Sequence, residues 1–179
     1  MAANWQALVH MVEEIKLCDE NNITTASVAM SYICIDALAS LSRPIEKKKV
    51  TRSDFIDWVN TYLTCHPEQQ YKYRGKDVYA ARCSLLHTFS SEAELHQEDP
   101  DTITFAYHDG GMHYFDQNVD SRLVLIGAKS FINDVVIGVG KFMDACKLNP
   151  VMMGLVESRL ESVFNKVPIR HGEINASGK

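Results

Sequence analysis

Arg82 and His87 are the residues whose types and spacing suggest chemistry, and four residues separate them. A guanidinium binds anionic oxygens through charged hydrogen-bond donors, and an imidazole exchanges a proton near neutral pH. At about 100° per residue, an α-helix places side chains five positions apart roughly 140° from each other around its axis. One copy of such a helix does not easily direct both side chains to one ligand. A site that uses both groups on one ligand would then require a second copy of the chain.

Residues 76–90 are predicted to form the helix that carries this pair. Asp77 can accept hydrogen bonds from the first free amide groups, and four apolar residues at helical spacing form one stripe about 80° wide. These residues are Val78, Ala81, Leu85 and Phe89. Arg82 falls within that stripe, and His87 falls nearly opposite to it. Because an arginine that faces a core is costly unless an anionic group pairs with it, Arg82 requires a partner.

Asp36 is the candidate partner, because it is the only charged residue of a predicted helix, at about 25–42, that is apolar nearly all round. A buried carboxylate must find a cation or change its pKa. We expect Asp36 to contact Arg82, either as a structural ion pair or as the group that holds a functional arginine. Replacing Arg82 by Ala should then cost roughly 3–5 kcal/mol of stability, because an unpaired buried charge remains.

Composition narrows the class of protein. The 179 residues suggest a single domain over about 1–167 and a polar tail at 168–179. The formal net charge of -5 argues against a protein that coats nucleic acid nonspecifically, although a local basic patch is compatible with it. The five cysteines are odd in number and form no CxxC pair, which indicates reduced thiols rather than a zinc site or disulfides. With no signal-type start and no uninterrupted apolar span of ~20 residues, we expect a soluble, cytoplasmic protein without a membrane anchor.

Apolar periodicity predicts an all-α fold, an up-and-down bundle of five or six helices. The predicted helices run from about 4 to 19, 25 to 42, 53 to 66, 76 to 90, 121 to 147 and 150 to 167. Alternating residues on both sides of the turn at 108–111 predict a small antiparallel β-hairpin over about 103–115, inserted between the central and the long helix. His108 and His113 flank that turn, but no third ligand stands near them, so we predict no metal site.

Basic residues cluster in the connection that precedes the central helix, at Lys72, Arg74 and Lys76. Lysine and arginine side chains on a loop are commonly solvated, but they also supply the contacts that bind phosphate groups. Because they precede the helix that carries Arg82, we take these three residues as candidate phosphate-binding groups.

The sequence of residues 79–88, YAARCSLLHT, on a helix of an all-helical protein, resembles the HEPN superfamily, whose hallmark is Arg, four to six residues, then His. It is similar to the form of the motif in small bacterial HEPN-like proteins, and the preceding apolar helix with Tyr32 and Asp36 is in keeping with that group. The chain departs from active members at Cys83, where they commonly carry a polar residue such as Asn, Asp or His. That departure bears on catalysis and not on the fold.

This resemblance implies a helical bundle that forms a homodimer, with the motif helices close to a twofold axis. Many members are metal-independent endoribonucleases, in which a ribose 2′-hydroxyl attacks the adjacent phosphate. Arg82 would then stabilise the charge on the phosphoryl oxygens and His87 would move the proton, with Asp36, Tyr79 and Cys83 as supporting residues. RNA and an antitoxin or regulatory protein are the implied partners, and no cofactor is required.

Two other classes of protein remain open at this stage. One is a non-catalytic HEPN-like binding or scaffold protein that engages a nucleotide or a partner protein. In that case Arg82 is a structural residue tied to Asp36, and His87 is a surface or interface histidine. The other is a small-molecule enzyme of unspecified type.

Overall fold

The computed structural model of the chain describes residues 5–65 and 71–160. Within these ranges it contains seven α-helices and one pair of short strands. The helices are α1 (Gln6–Glu20), α2 (Thr24–Ser42), α3 (Arg52–Trp58), α4 (Gly75–Cys83), α5 (Glu94–Glu98), α6 (Ala128–Leu148) and α7 (Pro150–Leu160), and the strands are β1 (Thr104–His108) and β2 (Leu123–Gly127). The prediction of a mainly helical fold is confirmed in this broad form.

Helix α2 lies at the centre of the core, as its apolar composition predicts. It packs against α1, α3, α6 and α7, and it buries Tyr32, Ile35 and Leu38 completely. In the part of the chain that the structure describes, α2 is the one helix long and apolar enough to cross a bilayer by length and composition. Half of its apolar window is buried inside the fold, so packing in the core accounts for that composition.

The helix ends follow local chemistry. Helix α1 ends at Glu20, close to its predicted end at about 19, and Asn22 follows with a left-handed φ of 57°. The helix predicted to start at about 53 begins at Arg52, after Thr51, whose amide and hydroxyl both donate to Asp54 Oδ2. Helix α7 begins at Pro150, as expected for a residue with a fixed φ and no amide hydrogen. The predicted extension of this helix to 167 and the tail at 168–179 lie outside the described residues.

The predicted antiparallel hairpin is wrong, because β1 pairs in parallel with β2, from Thr104 opposite Leu123 to His108 opposite Gly127. Residues 112–115 instead meet the other edge of β2 through one antiparallel bridge, between Tyr114 and Leu125. His108 forms contacts within this turn: its Nδ1 accepts from the Gly110 amide, and its Nε2 lies 2.8 Å from the Met112 carbonyl oxygen.

The predicted long helix over 121–147 is wrong in its first part, where β2 lies. Val124 and Ile126 are buried while Leu125 is exposed, which is the alternation of a strand. These apolar residues also fit a helical spacing, and the tertiary contact with β1 decides between the two. Helix α6 then begins at Ala128, and the small size of Gly138 lets it approach Tyr62 and Trp58 closely.

Candidate functional site

The helix that carries Arg82 and His87 changes its winding in the middle. Helix α4 ends at Cys83, and the chain continues as a π-helical turn over Ser84–Thr88. The Phe89 amide donates to the Ser84 carbonyl five residues earlier, where an α-helix would use a spacing of four. Phe89 then ends the turn with a left-handed φ of 50°. A continuous α-helix to residue 90 is therefore wrong, and Phe89 is 74% exposed instead of completing the apolar stripe.

This π turn brings the two motif side chains together. Arg82 Nη1 lies 2.7 Å from His87 Nε2. In a π turn the residue at i+5 takes the neighbouring position that i+4 occupies in an α-helix, because the hydrogen bonds span one more residue. The expectation that Arg82 and His87 point apart is thus wrong. The need for a second copy of the chain no longer follows from helix geometry.

Asp36 holds Arg82 from the side of α2, and the predicted contact between them is confirmed. Asp36 Oδ2 accepts a hydrogen bond from Arg82 Nε at 2.7 Å and lies 2.6 Å from Nη2. The two side chains are 30% and 19% exposed, so the pair is only partly withdrawn from water. Burial raises the pKa of the Asp36 carboxyl, and the hydrogen bonds and charge of Arg82 oppose this rise without cancelling it. One edge of the guanidinium is fixed, and Nη1 is left to face His87.

The contact between Arg82 and His87 determines which ring nitrogen of the neutral imidazole carries the hydrogen. A guanidinium only donates hydrogen bonds, so His87 Nε2 must accept, and the neutral ring carries its hydrogen on Nδ1. His87 is exposed at the surface. The basic lone pair of Nε2 therefore lies at the protein surface, directly against a positive charge.

Of the other two supporting residues predicted from the sequence, Cys83 lies beside Arg82 and Tyr79 lies beside Cys83. Cys83 Sγ is 3.9 Å from Arg82 Nη1. Burial, followed by a hydrogen bond with the Cys83 thiol, raises the pKa of Tyr79. The guanidinium carbon of Arg52 lies 5.5 Å from the centre of the Tyr79 ring. The sequence gave no reason to single out Arg52, because nothing in its local pattern places the first residue of α3 over α4.

The three predicted phosphate-binding residues lie towards the other end of α4. Lys76 precedes Arg82 by six residues, which is about 9 Å along a helix axis. Its Nζ lies 2.6 Å from Asp99, and Arg74 donates to the Asp101 carbonyl and to Asp77.

Lys72 is exposed and has no ion-pair partner within residues 5–65 and 71–160. The structure thus does not bring these cations to Arg82, and two of them are engaged with acidic neighbours.

The two histidines near the turn have structural contacts. His113 Nδ1 accepts from the Gly127 amide, and its Nε2 lies 3.3 Å from the Tyr73 hydroxyl. Burial, and then the charge of His108, lower the pKa of His113, so the neutral ring is the favoured form. Across residues 5–65 and 71–160, no three His, Cys, Asp or Glu side chains form a group that could hold a metal ion.

Comparison of the chain with protein-family models, with curated proteins and with solved structures gives no significant match. The geometry of the site therefore carries the functional argument. That geometry is a guanidinium that a carboxylate holds in place and that contacts an exposed imidazole. Such a pair can bind an anionic oxygen and accept a proton from a neighbouring hydroxyl group.

Proposed function

We propose that the protein is a HEPN-like, metal-independent endoribonuclease that acts as a homodimer. The observation that carries this proposal is the 2.7 Å contact between Arg82 Nη1 and His87 Nε2 at the surface. A positive charge and a proton acceptor at this distance from each other can act on the same phosphodiester, which supports the proposal. The bracing of Arg82 by Asp36 adds support, because a positioned donor stabilises developing charge without first having to be ordered.

The proposed reaction is the attack of a ribose 2′-hydroxyl on the adjacent phosphorus. The hydroxyl gives its proton to His87 Nε2 while its oxygen forms the new bond to phosphorus. Arg82 Nη1 donates to a non-bridging oxygen, where negative charge grows. The bond from phosphorus to the 5′-oxygen breaks, which leaves a 2′,3′-cyclic phosphate. In the proposed dimer the departing 5′-oxygen takes its proton from the imidazolium of a second copy and becomes a 5′-hydroxyl.

Substrate must first open the contact between Arg82 and His87. A phosphate oxygen is a charged acceptor, and it forms a stronger hydrogen bond with a guanidinium than a neutral imidazole nitrogen does. When the phosphate replaces His87 at Nη1, the lone pair on Nε2 becomes available to the 2′-hydroxyl. In the unbound protein Arg82 thus blocks the lone pair of His87 Nε2, and the phosphate of the substrate makes this lone pair accessible.

The decisive experiment compares wild type, His87→Ala and His10→Ala on single-stranded RNA in the presence of EDTA. We expect wild type to produce ends with a cyclic phosphate and His87→Ala to lose that activity at an unchanged urea midpoint. His10 is an exposed histidine on α1 and serves as the matched control, which should cleave like wild type. Equal cleavage by wild type and His87→Ala would indicate a contaminating nuclease and reject the proposal. Sedimentation analysis tests the dimer.

A non-catalytic HEPN-like binding or scaffold protein is the second candidate, and one observation favours it. Arg82 contacts Asp36 through two nitrogens, which is the geometry of a structural ion pair between α2 and α4. This candidate predicts no cleavage of RNA by any variant. It also predicts a nucleotide or a partner protein that co-purifies with the wild-type chain.

A further inference from the structure

We infer that Arg52 is a second phosphate-binding residue of the Arg82–His87 site, and that Glu98 forms an ion pair with Arg52 while no RNA is bound. This inference rests on the function proposed above and deepens it. It specifies the substrate as single-stranded RNA that places two phosphates along one face of α4. One phosphate meets Arg82 and His87, and a neighbouring one meets Arg52.

A continuous chain of side-chain contacts connects the two arginines. Arg82 Nη1 lies 3.9 Å from Cys83 Sγ, and the thiol adjoins the Tyr79 hydroxyl. Tyr79 is one turn before Cys83 on α4, so both side chains lie on the same face of that helix. The guanidinium carbon of Arg52 lies over the Tyr79 ring, 5.5 Å from its centre. Two guanidinium groups, one from α3 and one from α4, thus border the same Tyr79–Cys83 surface.

Arg52 is more available to an anionic ligand than Lys76 is. Its ion pair with Glu98 has a single contact of 3.2 Å, and the two side chains are 49% and 48% exposed. Exposed pairs of this kind contribute little, because water screens the charges and both side chains lose freedom. Lys76 is less exposed, at 24%, and is held by Asp99 at 2.6 Å. A phosphate group, which accepts two parallel hydrogen bonds from one guanidinium, is the better ligand for Arg52.

The position of Glu98 explains how the unbound chain keeps this site neutral. Glu98 is the last residue of α5, and the residues that follow it are tied to the start of α4 by Lys76–Asp99 and by the hydrogen bond from Arg74 to the Asp101 carbonyl. This attachment leaves Glu98 against Arg52. A phosphate that displaces the Glu98 carboxylate frees it into water, where it is well solvated. Glu98 is therefore a competitor of the substrate for Arg52.

The test measures the binding of a fluorescent single-stranded RNA by anisotropy, over a range of salt concentrations, with His87→Ala as the parent chain. Arg52→Gln in that parent should weaken binding about tenfold and reduce the slope of log affinity against log salt by about 0.7, as loss of one phosphate contact requires. Glu98→Gln should tighten binding roughly threefold, because the competing charge is removed. A 2′-O-methylated RNA, which lacks the nucleophile, allows the same comparison in a chain that keeps His87.

The controls are Lys147→Gln and Asp144→Asn, which make the same charge changes in an exposed ion pair on α6. If Arg52→Gln weakens binding no more than Lys147→Gln, or Glu98→Gln tightens it no more than Asp144→Asn, the inference is overturned. Absence of binding by all variants overturns it as well. If wild type cleaves RNA and Arg52→Gln binds RNA as tightly as its parent, the inference about Arg52 is rejected and the proposed nuclease function is retained. Binding that depends on Arg52, without any cleavage by wild type, rejects the nuclease and retains the phosphate contact.

Discussion

Replacing Arg82 by Met should destabilise the fold by about 1–3 kcal/mol, because the Asp36 carboxylate loses its cation. The figure is smaller than the roughly 3–5 kcal/mol that applies to a fully buried pair. Asp36 is 30% exposed, so water reaches the unpaired carboxylate and reduces the penalty. Met keeps most of the side-chain volume, and the loss therefore reports the charge more than the packing. For a chain of 179 residues this corresponds to a fall in Tm of about 2–12 °C.

A double-mutant cycle isolates the pair. Urea unfolding of wild type, Arg82→Met, Asp36→Asn and the double variant should give a coupling energy of about 1–2 kcal/mol. The same cycle on the exposed ion pair of Lys147 and Asp144 is the control, and it should give less than about 0.5 kcal/mol. Additive effects of the two substitutions at Asp36 and Arg82 would refute the idea that Asp36 positions the guanidinium.

The pH dependence of this loss gives an independent check. Burial already raises the pKa of Asp36, and removal of Arg82 should raise it further. The folded pKa of such an acid lies above its unfolded pKa of about 3.9. The stability that it contributes is fully present below the unfolded pKa and is lost as the pH rises through the folded pKa. The cost of Arg82→Met should therefore grow as the pH rises above about 4, as seen in urea midpoints relative to wild type. A cost that stays constant over this range would point to lost packing by the arginine stem and not to the charge.

Two further predictions concern the scaffold. Gly138→Ala would place a methyl group 3.2 Å from the Tyr62 carbonyl, so it should lower stability by about 1–3 kcal/mol. Gly140→Ala meets open space, so it should raise stability by about 0.5–1 kcal/mol. Tm values of the two variants check both expectations. Burial raises the pKa of Asp54, but hydrogen bonds, of which that from Lys47 is the largest, outweigh burial and lower the pKa. The stability that the Asp54 carboxylate contributes is therefore present above about pH 4 and is lost as the pH falls through the folded pKa. Asp54→Asn should lower the urea midpoint at neutral pH and flatten the loss of stability in acid, and an acid limb as steep as that of wild type would contradict this.

The parts of the fold that depend on local patterns were predictable. The apolar α2, the start of α7 at Pro150 and the pairing of Asp36 with Arg82 all follow from composition, from caps and from the cost of an unpaired charge. The parallel pairing of β1 with β2 was not predictable in this way. The apolar run of β2 is compatible with a helix as well as a strand, and only its contact with a distant segment decides. Arg52 was missed for the same reason, since it contacts Tyr79 from another helix.

The π turn is the feature that no periodicity reveals, and it determines the geometry of the site. An α-helix brings together residues four apart, whereas Arg82 and His87 are five apart, so one extra residue must be accommodated between them. The Ser84 carbonyl allows this, because it accepts from the Phe89 amide, from the Ser90 amide at 3.1 Å and from the Thr88 hydroxyl at 2.9 Å. A second π-helical segment, Val59–Leu63, follows α3, so it is the contact between Arg82 and His87 that distinguishes the π turn after α4. The spacing of the motif and the winding of the backbone therefore agree with each other, and together they make Arg82 and His87 one unit within a single copy of the chain.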